Sequence, residues 1–165
     1  MATEASPRVG FGDEIWRLGR EGDAAGLHRA ADLLARGSED AEADYDVHRA
    51  RAFALAVEGR GEEALTTLNE GWTEEWPFPS AYATDVARAR FLAREYGEAL
   101  TALQLGVRGV ERHLDDSVAE LTLETVRKAP GCWWRALKVA TAGGTARQRV
   151  ALALAVVGAR LARNP

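Results

Sequence analysis

The 165-residue sequence predicts an all-α fold: stacked antiparallel helical hairpins closed by an apolar C-terminal helix. Three observations predict it. Alanine is abundant and proline scarce, with 5 in the chain, which favours helix on propensity. The alternation of β-branched and aromatic residues that marks strands is almost absent. One segment also repeats. Arg49-Ala50-Arg51, Phe53 and Gly61-Glu62-Glu63-Ala64-Leu65 come again as Arg88-Ala89-Arg90, Phe91 and Gly97-Glu98-Ala99-Leu100, as two copies of one helical hairpin would.

Met1 to Gly12, with Pro7, Gly10 and Gly12, has little to bury and reads as a flexible arm. Residues 13–165 read as a single helical-repeat domain, with hairpins over 13–114 and basic helices over 115–165. Asp13 opens a short helix through Arg20, and Gly22-Asp23 turn the chain and cap the next. That second helix, Ala24 to Arg36, places Leu27, Ala30, Ala31 and Leu34 on one face, and Gly37 ends it. Gly22-Asp23-Ala24-Ala25 here takes the place that Gly61-Glu62-Glu63-Ala64 takes later.

The acidic run from Ser38 to Asp46 leads into a helix from about Asp44 to Glu58. It carries two apolar stripes, Tyr45-His48-Ala52-Leu55 and Val47-Ala50-Ala54-Val57, as a helix sandwiched between neighbours would. Gly59-Arg60-Gly61 turns the chain, and Ala64, Leu65, Leu68, Trp72 and Trp76 line the helix that returns from Glu62 to about Glu75. Pro77 and Pro79 stop it, and Ser80 caps a helix to about Glu95 with Ala83, Val86, Ala87 and Phe91 inward. Trp72, Trp76 and Phe78 around the prolines are expected to pin that loop to the core, with an exposed aromatic patch as the alternative. Tyr96-Gly97 turns into a helix marked by Ala99, Leu100, Leu103, Val107, Val110 and Leu114.

Asp115-Asp116-Ser117 begins the next helix, with Glu120 in capping-box spacing from Ser117 and Val118, Leu121, Thr125 and Val126 inward. Pro130 suits the first turn of a helix to about Thr141 that holds Cys132, Trp133, Trp134 and Leu137. Gly143-Gly144 breaks it and Thr145 begins the last helix. From Val150 to Ala162 that helix is apolar almost all round, so it is either a deeply buried closing element or an oligomer interface. Ala151, Ala155 and Ala159, at spacing four, permit close helix approach.

Ala52 and Ala87 lie twelve positions before Ala64 and Ala99, the two copies are offset by 35, and Pro77 follows the first pair. Residues 44–110, with a weaker echo at 13–37, thus resemble tetratricopeptide repeats, whose hairpins run to about 34 residues with small residues where helices cross. The Arg-Ala-Arg triplets themselves stand 39 apart; the four-residue difference is about one helical turn, so either register keeps the same face inward. The resemblance implies an α-solenoid with a peptide groove on the first helix of each hairpin. Arg49, Phe53, Arg88 and Phe91 would line it, the arginines at equivalent positions clamping a carboxylate or acidic peptide. The residues alone offer a plainer role for the arginines: ion pairs with Asp46 and Asp85, three positions earlier.

The net charge of −4 hides an asymmetry. Residues 1–124 hold all 25 acidic groups against 13 arginines, −12, whereas residues 125–165 hold eight basic groups and no acid, +8. Such a split suits a tail that docks on its own acidic body or on an acidic partner. Arg127, Lys128, Trp133, Trp134, Arg135 and Lys138 form a basic, aromatic segment that could stack on and neutralise nucleic acid, although the −12 body would repel a polyanion. Successive helical residues diverge by about 100°, so at least one of the two tryptophans is expected inside.

Cys132 is the single cysteine, which excludes an intramolecular disulfide, and without a charged leader and apolar run a cytoplasmic location is the expectation. No stretch is long enough for a membrane span. His28, His48 and His113 are far apart and in no metal-ligand spacing. The glycine-rich pieces lack the strand and the Lys-Ser/Thr of a phosphate loop, and the carboxylates cluster at helix starts, where the dipole explains them. The sequence therefore reads as a non-enzymatic protein- or peptide-interaction module without cofactor or metal. The alternatives are a homo-oligomer joined through the C-terminal helix and an anion binder using the basic segment.

Overall fold

A computed structural model of the chain describes residues 11–37, 41–72, 79–108 and 114–162. Among them no strand occurs, and the all-α expectation holds. The helices are α1 (Phe11–Glu21), α2 (Ala24–Gly37), α3 (Ala41–Val57), α4 (Gly61–Gly71), α5 (Pro79–Leu92), α6 (Tyr96–Arg108), α7 (Asp116–Lys128), α8 (Trp133–Ala142) and α9 (Ala146–Leu161), with a 3-10 turn, Pro130–Cys132, before α8. The chain falls into two compact units, Met1–Thr73 with α1–α4 and Glu74–Pro165 with α5–α9. Most of the expected N-terminal arm, together with Trp76, Phe78, Val110 and His113, lies outside the described residues.

Three hairpins, α1–α2, α3–α4 and α5–α6, close by the same backbone device. The first helix of each ends in a left-handed residue: Gly22 (φ 74°), Gly59 (φ 82°) or Arg94 (φ 64°). That residue's N–H donates three positions back, to Gly19, Ala56 or Phe91, and the next N–H donates five back, to Leu18, Leu55 or Arg90. This is a Schellman closure, which satisfies carbonyls that the helix end would leave without donors. The second helix starts at once, as Leu27, Ala64 and Ala99 donate to Asp23, Arg60 and Glu95. The turn of the third hairpin is therefore Arg94-Glu95, while Tyr96 and Gly97 already belong to α6. Likewise Gly22 matches Gly59, not Gly61, which moves the expected alignment of the first hairpin by two residues.

The turns fix the register of the two later copies at 35. Ala52 and Ala87, Ala64 and Ala99, Leu68 and Leu103 are all buried pairs at that offset. Thr66 and Thr101, also matched, each donate a hydroxyl hydrogen bond one turn back, to Glu62 and Gly97 carbonyls at 3.1 and 3.0 Å. Close approach repeats too: a Cβ on Gly71 would lie 2.6 Å from the His48 Cβ, and a Cβ on Gly106 2.6 Å from the Ala83 Cβ. The shared line is Glu-Ala-Leu-Thr-x-Leu-x-x-Gly, at 63–71 and 98–106. In this register Arg49 matches Thr84 and Arg88 matches Phe53, so the two Arg-Ala-Arg triplets are not structurally equivalent.

In the first unit α3 packs between α2 and α4 and also touches α1. Both expected stripes are used: Tyr45, Val47, Ala50, Ala52 and Ala54 are buried, and Phe53 and Ala56 join them. In the second unit α5 and α6 pair, and α6 packs on α7 and α8. Val118, Leu121, Thr125 and Val126 of α7 are buried as expected, with Thr122; the two threonine hydroxyls bond back to Val118 and Leu121 carbonyls at 2.7 Å. The Asp115 carboxylate accepts from the Val118 N–H at 2.8 Å and caps α7, in place of the expected Ser117–Glu120 box. A reciprocal capping box does occur at α9, between Thr145 and Gln148. Gln148 also donates to the Leu114 carbonyl at 3.1 Å, tying the head of α9 to the residues before α7.

Four substitutions test these packing arguments. Arg94→Gly removes the Cβ penalty of the left-handed turn and is expected to stabilise the chain by about 0.5–1 kcal/mol in urea unfolding, whereas Gly59→Ala costs a similar amount. Gly106→Ala drives a methyl into Ala83 and is expected to cost about 1–3 kcal/mol. Gly158→Ala, which meets nothing within 4 Å on α9, is expected to be neutral or stabilising by up to about 1 kcal/mol.

Candidate interaction surfaces

The expected groove residues are engaged within their own units. Phe53 is buried and meets Trp16 edge-on, with centroids 6.1 Å apart. Phe91 is buried and meets Tyr96 edge-on at 5.5 Å. Arg49 reaches Asp46 at 2.7 Å, and Arg88 reaches the buried Asp85 at 3.2 Å, so both i−3 ion pairs that the sequence offered as the plainer reading are formed. Arg49 and Phe53 belong to the first unit, Arg88 and Phe91 to the second.

The basic, aromatic residues gather where α7 ends and α8 begins. Arg127 and Lys128 are exposed in the last turn of α7, where positive charge suits the negative end of the helix dipole. Contrary to expectation, neither tryptophan is inside: Trp133 and Trp134 are both exposed. The inward face of α8 is Ala136-Val139-Ala140, and α8 packs on α6 and α9. Lys138 Nζ stands 4.5 Å from the Trp134 ring centroid and the Arg135 guanidinium carbon 5.4 Å from it. The ring thus already carries cations from its own helix, which a stacking base would have to displace. The Arg135 guanidinium also lies against Gly97, 2.7 Å from where a Cβ would sit.

The last helix departs furthest from expectation. α9 packs on α7 and α8, yet only Leu152 and Val156 are buried, so it is not a deeply buried closing element. Its outer side bears Val150, Leu154, Val157 and Leu161, exposed by 59, 68, 37 and 64%. Their 4-3-4 spacing aligns them along one line of the helix. Beside that line runs a second exposed one, Ala151, Ala155, Gly158 and Ala162, with no side chain larger than a methyl. On helical spacing Arg147 stands at the head of these lines, and Arg149 and Arg160 border the bulky one.

Other chemistry is thin. Among the described residues no cluster of three or more His, Cys, Asp and Glu is placed to hold a metal. His28 pairs with Glu58 at 3.1 Å, and the His48 ring meets the Asp44 carbonyl at 3.0 Å. A hollow open to solvent lies where α5, α6 and α7 meet, lined by Ala83, Leu103, Gly106, Asp115 and Val118 among others; its volume of about 10 Å³ has room for about one water. That is far below the usual ligand pocket of roughly 300–1,000 Å³. Shifted carboxyls lie on exposed helix surface: hydrogen bonds from Arg17 and Arg60 hold Glu14 and Glu63 below the usual range. Burial raises the Tyr82 phenol. No described helix is long and apolar enough to cross a membrane.

Comparison with protein-family models, with curated proteins and with solved structures returns no significant match.

The paired arginines yield a test of structural against binding roles. Arg88→Ala leaves the Asp85 carboxylate buried without that partner and is expected to cost on the order of 2 kcal/mol in urea unfolding. Arg17→Ala, which removes only exposed i,i+3 and i,i+4 pairs, is expected to stay within about 0.5 kcal/mol.

Proposed function

We propose that the chain is a non-enzymatic interaction protein of the scaffold type, and that it docks a protein partner on the outer side of α9. The observation that carries this reading is the bare double line on α9, four large apolar residues beside four small ones. It exposes on the order of 400 Å² of contiguous apolar surface, the range in which patches on soluble proteins are commonly functional. Supporting it, the other helices expose large apolar side chains only at Leu33, Leu105, Trp133 and Trp134 among the described residues, and the arginines and phenylalanines of the expected groove serve ion pairs and cores. The repeated hairpin is then the frame that presents α9, and kinship with tetratricopeptide solenoids remains part of this proposal rather than its basis.

A photoreactive residue at position 154, activated in the native cell, is expected to yield a discrete adduct identifiable by mass spectrometry. The same residue at Leu33 or Leu105, leucines exposed as widely at 63 and 65%, is expected to yield none. Equal labelling from all three positions would end the assignment to α9.

A further inference from the structure

Resting on that docking reading, we infer that the occupant of α9 is a single amphipathic helix with acidic borders, supplied by another protein. Three features of the surface select it. The first is shape. A line of large side chains beside a line of Ala and Gly is a ridge next to a shallow groove, and a partner helix can seat its own ridge in that groove at close axial distance. A lipid surface gains little from Ala151, Ala155 and Gly158, since membrane affinity scales with buried apolar area, whereas a helix backbone gains contact from their smallness. The bulky line spans twelve residues, about three turns, so a helix of similar length covers it.

The second feature is charge. The border of the face is Arg147, Arg149 and Arg160, and residues 125–165 contain no acid to balance them. A second copy of α9 laid antiparallel on the first sets Arg149 against Arg160, and like charges in a partly desolvated seam cost affinity; laid parallel, it sets the arginines beside the partner's small-residue flank, where no acid balances them. Glu or Asp at the bordering positions of a partner reverses the sign. The N-terminal end of α9 adds its own positive pole, so a carboxylate near Arg147 meets charge and helix dipole together.

The third feature is extent. About 400 Å² of apolar surface is half of what each partner contributes to a standard stable interface, roughly 800 Å². A symmetric dimer resting on this face alone would be under-sized, but a helix laid in a groove fits it.

The test uses the full chain and fluorescein-labelled synthetic helices of 18 residues as probes, read by fluorescence anisotropy. One probe carries leucines in 3-4 spacing bordered by Glu; a second replaces the Glu residues with Lys; a third keeps the first composition with the leucines scattered. The Glu-bordered probe is expected to bind at least tenfold more tightly than either other, and to weaken several-fold between 50 and 300 mM salt. Leu154→Asp and Gly158→Gln, the second filling the small-residue groove without adding charge, are each expected to lose tenfold or more. Arg149→Glu with Arg160→Glu is expected to invert the preference towards the Lys-bordered probe. All changed side chains are exposed or half-exposed, and unchanged helicity by circular dichroism verifies each fold.

Equal binding of all three probes, or none, overturns the acidic-helix assignment. So does a dimer in sedimentation that Leu154→Asp dissociates, which assigns the face to a second copy. Co-sedimentation with vesicles of 30% phosphatidylserine, abolished by Leu154→Asp but not by Gly158→Gln, assigns it to lipid instead. Adducts from position 154 without probe binding would leave the docking reading standing and remove only the acidic helix. Loss of both removes both.

Discussion

A helix that must reverse direction within two residues can do so by letting one residue go left-handed, and the three hairpins here depend on that constraint. At Gly22, Gly59 and Arg94 the chain adopts positive φ, and two N–H groups fold back onto carbonyls of the preceding turn. The closure sets where the second helix begins and so which residues face which across the pair. Ala52 and Ala64, seven residues before and five after Gly59, are both buried, and Ala87 and Ala99 hold the same places around Arg94. The close passes of Gly71 on His48 and Gly106 on Ala83 follow from the same geometry. Arg94 is the costly member of the set, because a side chain in the left-handed region carries a steric penalty that glycine avoids.

This geometry also explains why α9 is left open. α3 lies between α2 and α4, and α6 is paired by α5 and packed by α7 and α8. α9 rests on α7 and α8 through Leu152 and Val156, and Val150, Leu154, Val157 and Leu161 on its far side are exposed. An apolar helix in that place presents its surplus hydrophobic side chains outward, rimmed by arginine. Such a surface is expensive in water unless another molecule meets it, which is why the functional proposal rests there rather than on the better-satisfied hairpins.

The candidate site was legible in part. The +8 charge of residues 125–165 and the apolar run of Val150 to Ala162 were visible as composition, and both belong to the surface now favoured. Arg49 and Arg88, read as equivalent positions in the sequence, are not equivalent in the structure. Arg49-Ala50-Arg51 and Arg88-Ala89-Arg90 look alike at an offset of 39, but backbone closure sets the offset at 35, and the Glu-Ala-Leu-Thr line was the better guide. At least one of the two α8 tryptophans was expected in the core; α8 turns Ala136, Val139 and Ala140 inward instead, and both rings stay outside.

By itself the sequence determined the all-α class, the reversals at Gly22 and Gly59, and the inward faces of α2, α3 and α7. These are local properties: propensity, left-handed turns and 3.6-residue periodicity act within a few residues of chain. Only the tertiary structure decided which apolar faces are covered. Val156 and Val157 are adjacent and chemically identical, yet one is fully buried and the other is 37% exposed. Burial depends on where distant helices lie, and the positions of α7 and α8 beneath one side of α9 are a property of long-range packing that no pattern within α9 encodes.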